Sequence, residues 1–161
     1  MRPEDLDRIR GLPLFSALQP ECFEQLMEPS FLQRFPAAVE LVREGDAGDF
    51  MMLIIEGRTE IFKQDRWNSP RMIAVLDAGQ TVGEMSMIDG EPRFASCISA
   101  ERCTVAMLTR ESLARIILEQ PVLGAKILME LVLMLSKRLR ITSAKLVGYM
   151  DKYESGDPDR D

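Results

Sequence analysis

The residues in this sequence whose types and spacing could do chemistry lie between positions 83 and 96. An apolar, β-branched run at 73–82 leads into Gly83 and the carboxylate of Glu84; a short helical segment and a Gly/Pro break follow, and Arg93 then enters an extended run. Gly83 lets the backbone approach a ligand, and N–H groups at the N-terminus of a short helix favour an anion. Arg93 can bind two phosphate oxygens at once, and Glu84 can accept hydrogen bonds from a sugar hydroxyl. This order suits binding of a small phosphate ester; the alternative is a helix-capping carboxylate and a surface arginine.

Around this segment, residues 31–108 form short extended runs that are separated by turn residues. Many short strands with turns every 8–12 positions are typical of a β-sandwich or β-roll. Because the runs do not alternate with long helices, a doubly wound α/β fold is excluded. Short helices are predicted at 4–10 and 20–29, and strands are predicted at 31–35, 39–43, 50–55, 58–64, 71–76, 81–82, 94–99 and 103–108.

After Thr109 the apolar residues recur with the period of an α-helix. One helix is predicted over 110–119, and after Pro121 a long helix is predicted over 122–151. Its apolar residues form two stripes, so this helix needs two partners: its own β-roll and a second surface. We expect the second partner to be another copy of the chain, in a homodimer; the alternative is a helix buried against its own domain alone. The seam with coiled-coil spacing is Leu128, Val132, Leu135, Leu139, Thr142, Leu146 and Tyr149, and the second stripe is Ile127, Leu131, Met134 and Ile141.

Composition favours a single binding domain over an enzyme or a nucleic-acid-binding protein. The chain has 161 residues, a net charge of −6 and no histidine. Without histidine, Ser-His-Asp and Cys-His catalysis, histidine zinc sites and the histidine-rich metal centre of cupin enzymes are excluded, so no catalytic residue, cofactor or metal is expected. An acidic domain is poorly suited to binding nucleic acid. The one basic cluster, at 137–140, is interpreted as a solvated helix face.

Neither a membrane segment nor a disulfide framework is visible in the sequence. No apolar run approaches the roughly 18 uncharged residues that a bilayer span needs, and the N-terminus has no signal-peptide core. A cytoplasmic protein without membrane contact is therefore expected. Cys22, Cys97 and Cys103 lack paired or metal-ligand spacing, and the latter two are expected to be small buried thiols.

Several segments occur in an order that resembles one known family. Residues 12–18 (LPLFSAL) resemble its N-terminal motif, 44–49 (EGDAGD) its first β-roll turn, 55–61 (IEGRTEI) its next hairpin and 83–96 its phosphate-binding cassette. Over residues 9–151 the chain resembles the cyclic nucleotide-binding domains. The resemblance implies a mainly β fold with flanking helices: a double-stranded β-helix (β-roll, or jelly roll) followed by a long C-terminal α-helix.

The resemblance also implies a ligand, cyclic AMP, and a role for each cassette residue. Glu84 would hold the ribose 2′-hydroxyl. Arg93, with the backbone amides of Met85, Ser86 and Phe94, would hold the cyclic phosphate. The implied ligand-binding set is Gly83, Glu84, Met85, Ser86, Arg93, Phe94, Ala95, Thr142 and Ser143.

The C-terminal helix is similar, at 138–146 (RLRITSAKL), to the dimerisation helix of the catabolite activator branch of this family. In that branch a Thr-Ser pair contacts the adenine, one residue from each subunit, and Thr142 and Ser143 occupy the matching positions. The alternative is a pair of ordinary hydroxyls on a helix surface. The branch continues into a helix-turn-helix domain, whereas this sequence ends ten residues after Asp151, so no DNA-reading element is expected here.

Phe94 departs from the family pattern. The residue after the cassette arginine is usually Ala, Ser or Thr, and members selective for cyclic GMP tend to use Thr. Phe94 offers the phosphate only its backbone N–H, which argues against cyclic GMP, and its ring could crowd the pocket.

The sequence therefore predicts three regions: a cyclic nucleotide-binding β-roll with N-terminal helices (1–120), a C-terminal dimerisation helix (121–151) and a disordered acidic tail (152–161). The predicted function is non-covalent sensing of cyclic AMP, with the signal passed through the C-terminal helix to a partner protein that the sequence does not identify. The alternatives are an interaction module of the same fold that binds no nucleotide, with Phe94 filling its pocket, and a transcription regulator that lacks its DNA-binding domain.

Overall fold

A computed structural model describes residues 32–155, with side chains as far as Asp151. The predicted N-terminal helices, the motif at 12–18 and Cys22 lie outside the described residues. In chain order the elements are β1 (Leu32–Phe35), β2 (Glu40–Val42), β3 (Phe50–Glu56), β4 (Thr59–Gln64), β5 (Pro70–Leu76), β6 (Thr81–Val82), α1 (Glu84–Asp89), β7 (Ser96–Ser99), β8 (Cys103–Thr109), α2 (Arg110–Glu119) and α3 (Pro121–Ser155).

The eight strands form two four-stranded sheets, in the orders β1-β8-β3-β6 and β2-β7-β4-β5. The strand pairs are antiparallel throughout both sheets. This arrangement confirms the predicted β-roll, and each predicted strand has its counterpart within two residues at either end. The long helix that the pattern after Thr109 predicts is also confirmed.

Strand β3 is apolar almost throughout because both of its faces are buried. Met52 and Ile54 pack between the two sheets with residues of β4, β7 and β8. Met51 and Leu53 point to the opposite face and pack against α1, α2 and α3. Alternate side chains of a strand point to opposite faces, so this single strand contributes to two cores. The core on the side of Met51 and Leu53 fixes the three helices to the sheet that contains β3, and strand β6 of that sheet leads into the cassette.

Strand β7 begins at Ser96, two residues later than the sequence predicts, so Phe94 and Ala95 precede it. Here the backbone pairs with a turn instead of a strand. The Arg93 N–H donates to the Asp46 carbonyl at 2.8 Å, and the Gly45 N–H donates to the Arg93 carbonyl at 2.9 Å. The acidic turn at 44–49 is thereby attached to the end of the cassette.

Helix α3 runs to Ser155, so residues 152–155 of the predicted disordered tail are helical. One of its two apolar stripes packs as predicted: Ile127 and Leu131 are buried and Met134 packs beside them. Ile141, predicted to share that stripe, is 48% exposed because the helix extends past the β-roll. Most of the predicted dimer seam is exposed in the single chain, at Leu128, Val132, Leu139, Leu146 and Tyr149. The homodimer stays a prediction.

Cys97 and Cys103 are free and buried, which confirms the interpretation of these two thiols. Burial raises the pKa of the Cys97 thiol to about 11. Across residues 32–155, no helix combines the length and the apolar character that crossing a membrane would need.

Candidate functional site

The cassette begins at a glycine whose backbone conformation sets the direction of α1. Gly83 is the N-cap of this helix and has φ 88°, in the left-handed region that side chains disfavour. No side chain caps this end of the helix. The first N–H groups of a helix have no partner within it, so the amides of Glu84, Met85 and Ser86 are free of helical hydrogen bonds. The helix ends at Asp89, and its C-cap is Gly90, which has φ 81°.

Arg93 is only 4% exposed and is held in a narrow space. Its Nη1 donates to the Gly83 carbonyl at 2.9 Å, and its guanidinium lies 4.4 Å from the centroid of the Phe50 ring. A Cβ at Gly48 would lie 2.0 Å from Arg93 Nε, and one at Gly83 would lie 2.5 Å from Arg93 Nη1. Side chains at 48 and 83 would therefore occupy the space that the guanidinium fills. The sequence analysis predicts a different role for Gly83, close approach of the backbone to a ligand, and it does not identify Gly48.

Two buried polar atoms of the site lack a hydrogen-bond partner among the described residues: Arg93 Nη2 and Glu84 Oε2. Burial lowers the pKa of Arg93, and the carboxylates of Asp49 and Glu84 oppose that shift. A buried donor or acceptor left without a partner costs about 1–3 kcal/mol, and more when it is charged. A ligand that presents an anionic oxygen to Arg93 and a hydroxyl to Glu84 would remove both penalties.

The structure corrects the interpretation of the basic cluster at 137–140 for Arg138 alone, because Lys137 and Arg140 are exposed as a solvated face requires. Arg138 reaches back from α3: Nη1 forms an ion pair with Glu84 Oε1, and Nη2 donates to the carbonyl of Thr81. Arg138 is therefore a contact between the long helix and the cassette, not a member of a solvated face. The sequence indicates that Arg138 faces the β-roll, because residue 138 continues the four-three spacing of Ile127, Leu131 and Met134.

Arg110 is a second contact that sequence reasoning missed. Its Nε donates to the Met87 carbonyl at 2.7 Å and its Nη2 to the Ser86 carbonyl at 2.8 Å. A guanidinium thus binds the last carbonyls of α1, where a cation is favoured. Its own backbone N–H donates to the Asp49 carbonyl at 2.6 Å. Arg110 joins the cassette to the first residue of α2, a link that no local motif indicates.

The remaining residues of the predicted set differ in their surroundings. Ser86 is buried, Ala95 is half-buried, and Met85 and Phe94 are exposed. Thr142 and Ser143 are exposed on α3, about one turn beyond Arg138. The structure thus brings Gly83, Glu84 and Arg93 together and leaves the two helix hydroxyls at the surface of the single chain. A cavity of about 410 Å³ opens beside Arg93 and Phe50, lined also by Glu40, Leu41, Val42, Arg43, Asp46 and Ala47.

The acidic turn at 44–49 is fixed by hydrogen bonds to the side chain of Glu44. Glu44 accepts from Lys63 and from the Gln64 N–H, the latter at 2.9 Å. Between residues 32 and 155, no group of three or more Cys, Asp or Glu side chains is arranged to hold a metal ion.

The family follows from comparison with known proteins. The sequence profile described as "Cyclic nucleotide-binding domain" matches residues 32–120, more than half of the chain. The chain belongs to the cyclic nucleotide-binding domain family.

The chain is similar to several individual proteins and solved structures. The Cyclic AMP receptor protein of Thermus thermophilus is 30% identical over 140 residues, which cover 86% of this chain and 62% of that protein. A cAMP-dependent protein kinase regulatory subunit of Hypocrea atroviridis is 29% identical over 130 residues, covering 73% of this chain and 28% of that protein. A solved cyclic nucleotide-binding domain from Methylobacillus flagellatus superposes with a TM-score of 0.78 and 33% identity, covering 91% of this chain and 82% of that one. The chain spans less than two thirds of the length of both curated relatives.

Proposed function

We propose that this domain is a binding regulator, not an enzyme, and that its ligand is cyclic AMP. The observation that carries the proposal is the pair of buried polar atoms without partners, Arg93 Nη2 and Glu84 Oε2, beside the left-handed Gly83. Arg93 and the amides of Met85, Ser86 and Phe94 would bind the cyclic phosphate. Glu84 would accept from the ribose 2′-hydroxyl.

The choice of cyclic AMP over cyclic GMP rests on chemistry and on the relatives. Phe94 supplies no hydroxyl after Arg93, and Thr142 and Ser143 carry hydroxyls that could contact a base from α3. The Thermus thermophilus relative is named a Cyclic AMP receptor protein. A similar structure is the regulatory domain of a Toxoplasma gondii kinase in complex with cAMP, at 25% identity, covering 70% of this chain and 43% of that one, with a TM-score of 0.59.

The signal would pass through Glu84. One oxygen of this carboxylate pairs with Arg138 on α3, and the other is the one that would meet the ligand. A ligand can shift a conformational equilibrium only if it binds the two states with different affinity. Because the same carboxylate contacts the long helix, a nucleotide at Glu84 alters the interactions of that helix directly. The helix would then pass the change to a partner protein.

The exposure of Phe94 bears on the alternative in which its ring fills the pocket. The residue is 55% exposed, whereas a ring that replaces a ligand inside a pocket would be largely buried. The nucleotide-free interaction module is therefore not the function that the geometry favours.

Isothermal titration with cyclic AMP tests the proposal on protein freed of copurified nucleotide. Binding should weaken in Arg93→Lys, because an ammonium lacks the planar fork of a guanidinium. It should also weaken in Glu84→Gln, which removes a charged acceptor. Arg71→Lys is the matched control, since Arg71 pairs with Asp65 at the surface. Absence of binding by the parent at millimolar cyclic AMP would refute the proposal.

A further inference from the structure

Phe94 is a large apolar side chain that the fold does not bury. It directly follows the buried Arg93 and precedes β7, yet it is 55% exposed. Exposed apolar residues are common, but this one lies within the cassette, directly after the arginine of the proposed phosphate site. Its placement beside the proposed phosphate site makes a ligand contact the simplest use for the ring.

The ring is held in place by a small network of charged groups. The Lys63 ammonium lies 4.6 Å from the centroid of the Phe94 ring. Lys63 forms an ion pair with Glu44, and both side chains are partly buried, at 35% and 17% exposed. Glu44 is fixed in turn by the Gln64 N–H, which donates to Oε2 at 2.9 Å, and by its own N–H, which donates to Ser96 Oγ at 2.9 Å. The Lys63 ammonium thus covers one face of the Phe94 ring, and the exposed area of this side chain belongs to the rest of the ring.

The position of Lys63 on its strand shows where this network lies. Thr59 and Ile61 are buried and point between the two sheets. The pairing of β4 with β5 shifts between Ile61 and Phe62 by one extra residue of β5 and then continues to Lys63, so Lys63 projects from the same face as Ile61, one step further toward the end of the strand. Lys63 and the Phe94 ring therefore lie toward the end of β4, and Phe94 directly follows Arg93 in the chain.

We propose that Phe94, backed by Lys63, is a stacking surface for the base of the bound nucleotide and makes the site prefer purines to pyrimidines. The inference rests on the proposed function. Aromatic rings stack on nucleic-acid bases with a gain that corresponds to about tenfold or more in affinity, and the larger purine offers more surface. Stacking uses the face of the base and leaves its edge for Thr142 and Ser143.

Titration of four cyclic nucleotides into three variants tests the assignment. The ligands are cyclic AMP, cyclic GMP, cyclic CMP and cyclic UMP, and the variants are Phe94→Leu, Phe94→Tyr and Trp67→Leu. Trp67 is the matched control, because it is exposed and also carries a cation, Arg66, at 3.9 Å from its ring. Phe94→Leu should weaken purine binding about tenfold and pyrimidine binding less, Phe94→Tyr should keep the preference for purines because it keeps an aromatic ring, and Trp67→Leu should bind as the parent does.

The outcomes separate this inference from the proposed function. If the parent binds none of the four nucleotides, both fail. If the parent binds cyclic AMP but Phe94→Leu keeps the same ratio of purine to pyrimidine affinity, only the stacking role is wrong. The melting temperature of each ligand-free variant shows whether it is folded, and Phe94→Met is measured in place of Phe94→Leu if the latter is not.

Discussion

Substituting Gly48 by alanine tests the Arg93 site without touching any residue that would contact the ligand. The added Cβ would lie 2.0 Å from Arg93 Nε, 2.2 Å from Cζ and 2.6 Å from Nη2. An ordinary contact begins at 3.4 Å, so the guanidinium would have to move by about 1.4 Å. It cannot do so and keep both the 2.9 Å hydrogen bond to the Gly83 carbonyl and its place over Phe50.

The expected loss of binding is larger than the expected loss of stability. Overpacking of a buried site costs roughly 1–3 kcal/mol. Displacing Arg93 also exposes Nη2, which is buried without a partner among residues 32–151, so the destabilisation should be at the low end, about 1 kcal/mol. A charged hydrogen bond contributes about 1.5–3 kcal/mol, so loss of the phosphate contact should raise the Kd for cyclic AMP about 10- to 150-fold.

The assay is isothermal titration combined with thermal unfolding of the ligand-free protein. Gly148→Ala is the matched control, because a Cβ added at this position of α3 would meet nothing within 4 Å. It should bind like the parent and gain up to about 1 kcal/mol from helix propensity. A Gly48→Ala protein that binds cyclic AMP with parental affinity would show that Arg93 in this position does not hold the ligand.

Three further expectations follow from other contacts of the molecule. Cyclic GMP should raise the melting temperature less than cyclic AMP does, since no hydroxyl follows Arg93; an equal or larger shift would contradict this selectivity. Leu139→Glu should sediment as a monomer, because Leu139 is 68% exposed in the single chain but would lie inside a dimer, where a carboxylate would be buried. Ser136→Glu, which lies off the seam, should leave the dimer intact. A parent protein that sediments as a monomer would reject the dimer. Cys97 should resist thiol reagents at pH 8 in the native protein, because its pKa of about 11 keeps the thiol protonated; mass spectrometry of labelled peptides would detect the opposite.

The strands were predictable because their signals are local. β3 reads as an unbroken apolar run since both of its faces are buried, and the glycine, proline and aspartate turns separate it from its neighbours. The end of α3 was not predictable in the same way. The sequence from Asp151 onward is polar, and its helical residues 152–155 continue a helix whose preceding residues, 141–151, are all exposed. A prediction based on apolar periodicity therefore ends too early.

The charged contacts of the site could not be predicted from local sequence patterns, because they join residues that are far apart in the chain. Arg138 and Glu84 are 54 positions apart, and Arg110 lies 23 positions from Met87. Each contact depends on where α2 and α3 cross the sheet, which is set by the core residues on their inner faces. The sequence analysis identifies Arg93 from its spacing to Gly83 and Glu84, but the groups that contact these residues are known only from the fold. Gly48 is a similar case, since its role is to leave room for a side chain 45 positions later.

Helix α3 links ligand binding to dimer formation through two neighbouring faces. Its inner stripe, Ile127 and Leu131, fixes the helix to the β-roll, and Arg138 continues that stripe to the carboxylate of Glu84. Its outer seam, which includes Val132 and Leu139, is exposed in the single chain. A helix is stiff over a few turns. A ligand that draws Glu84 away from Arg138 therefore changes the interactions of the same helix that carries the dimer seam. Nucleotide binding and dimer formation should therefore be energetically coupled, and by linkage each must change the equilibrium of the other by the same factor.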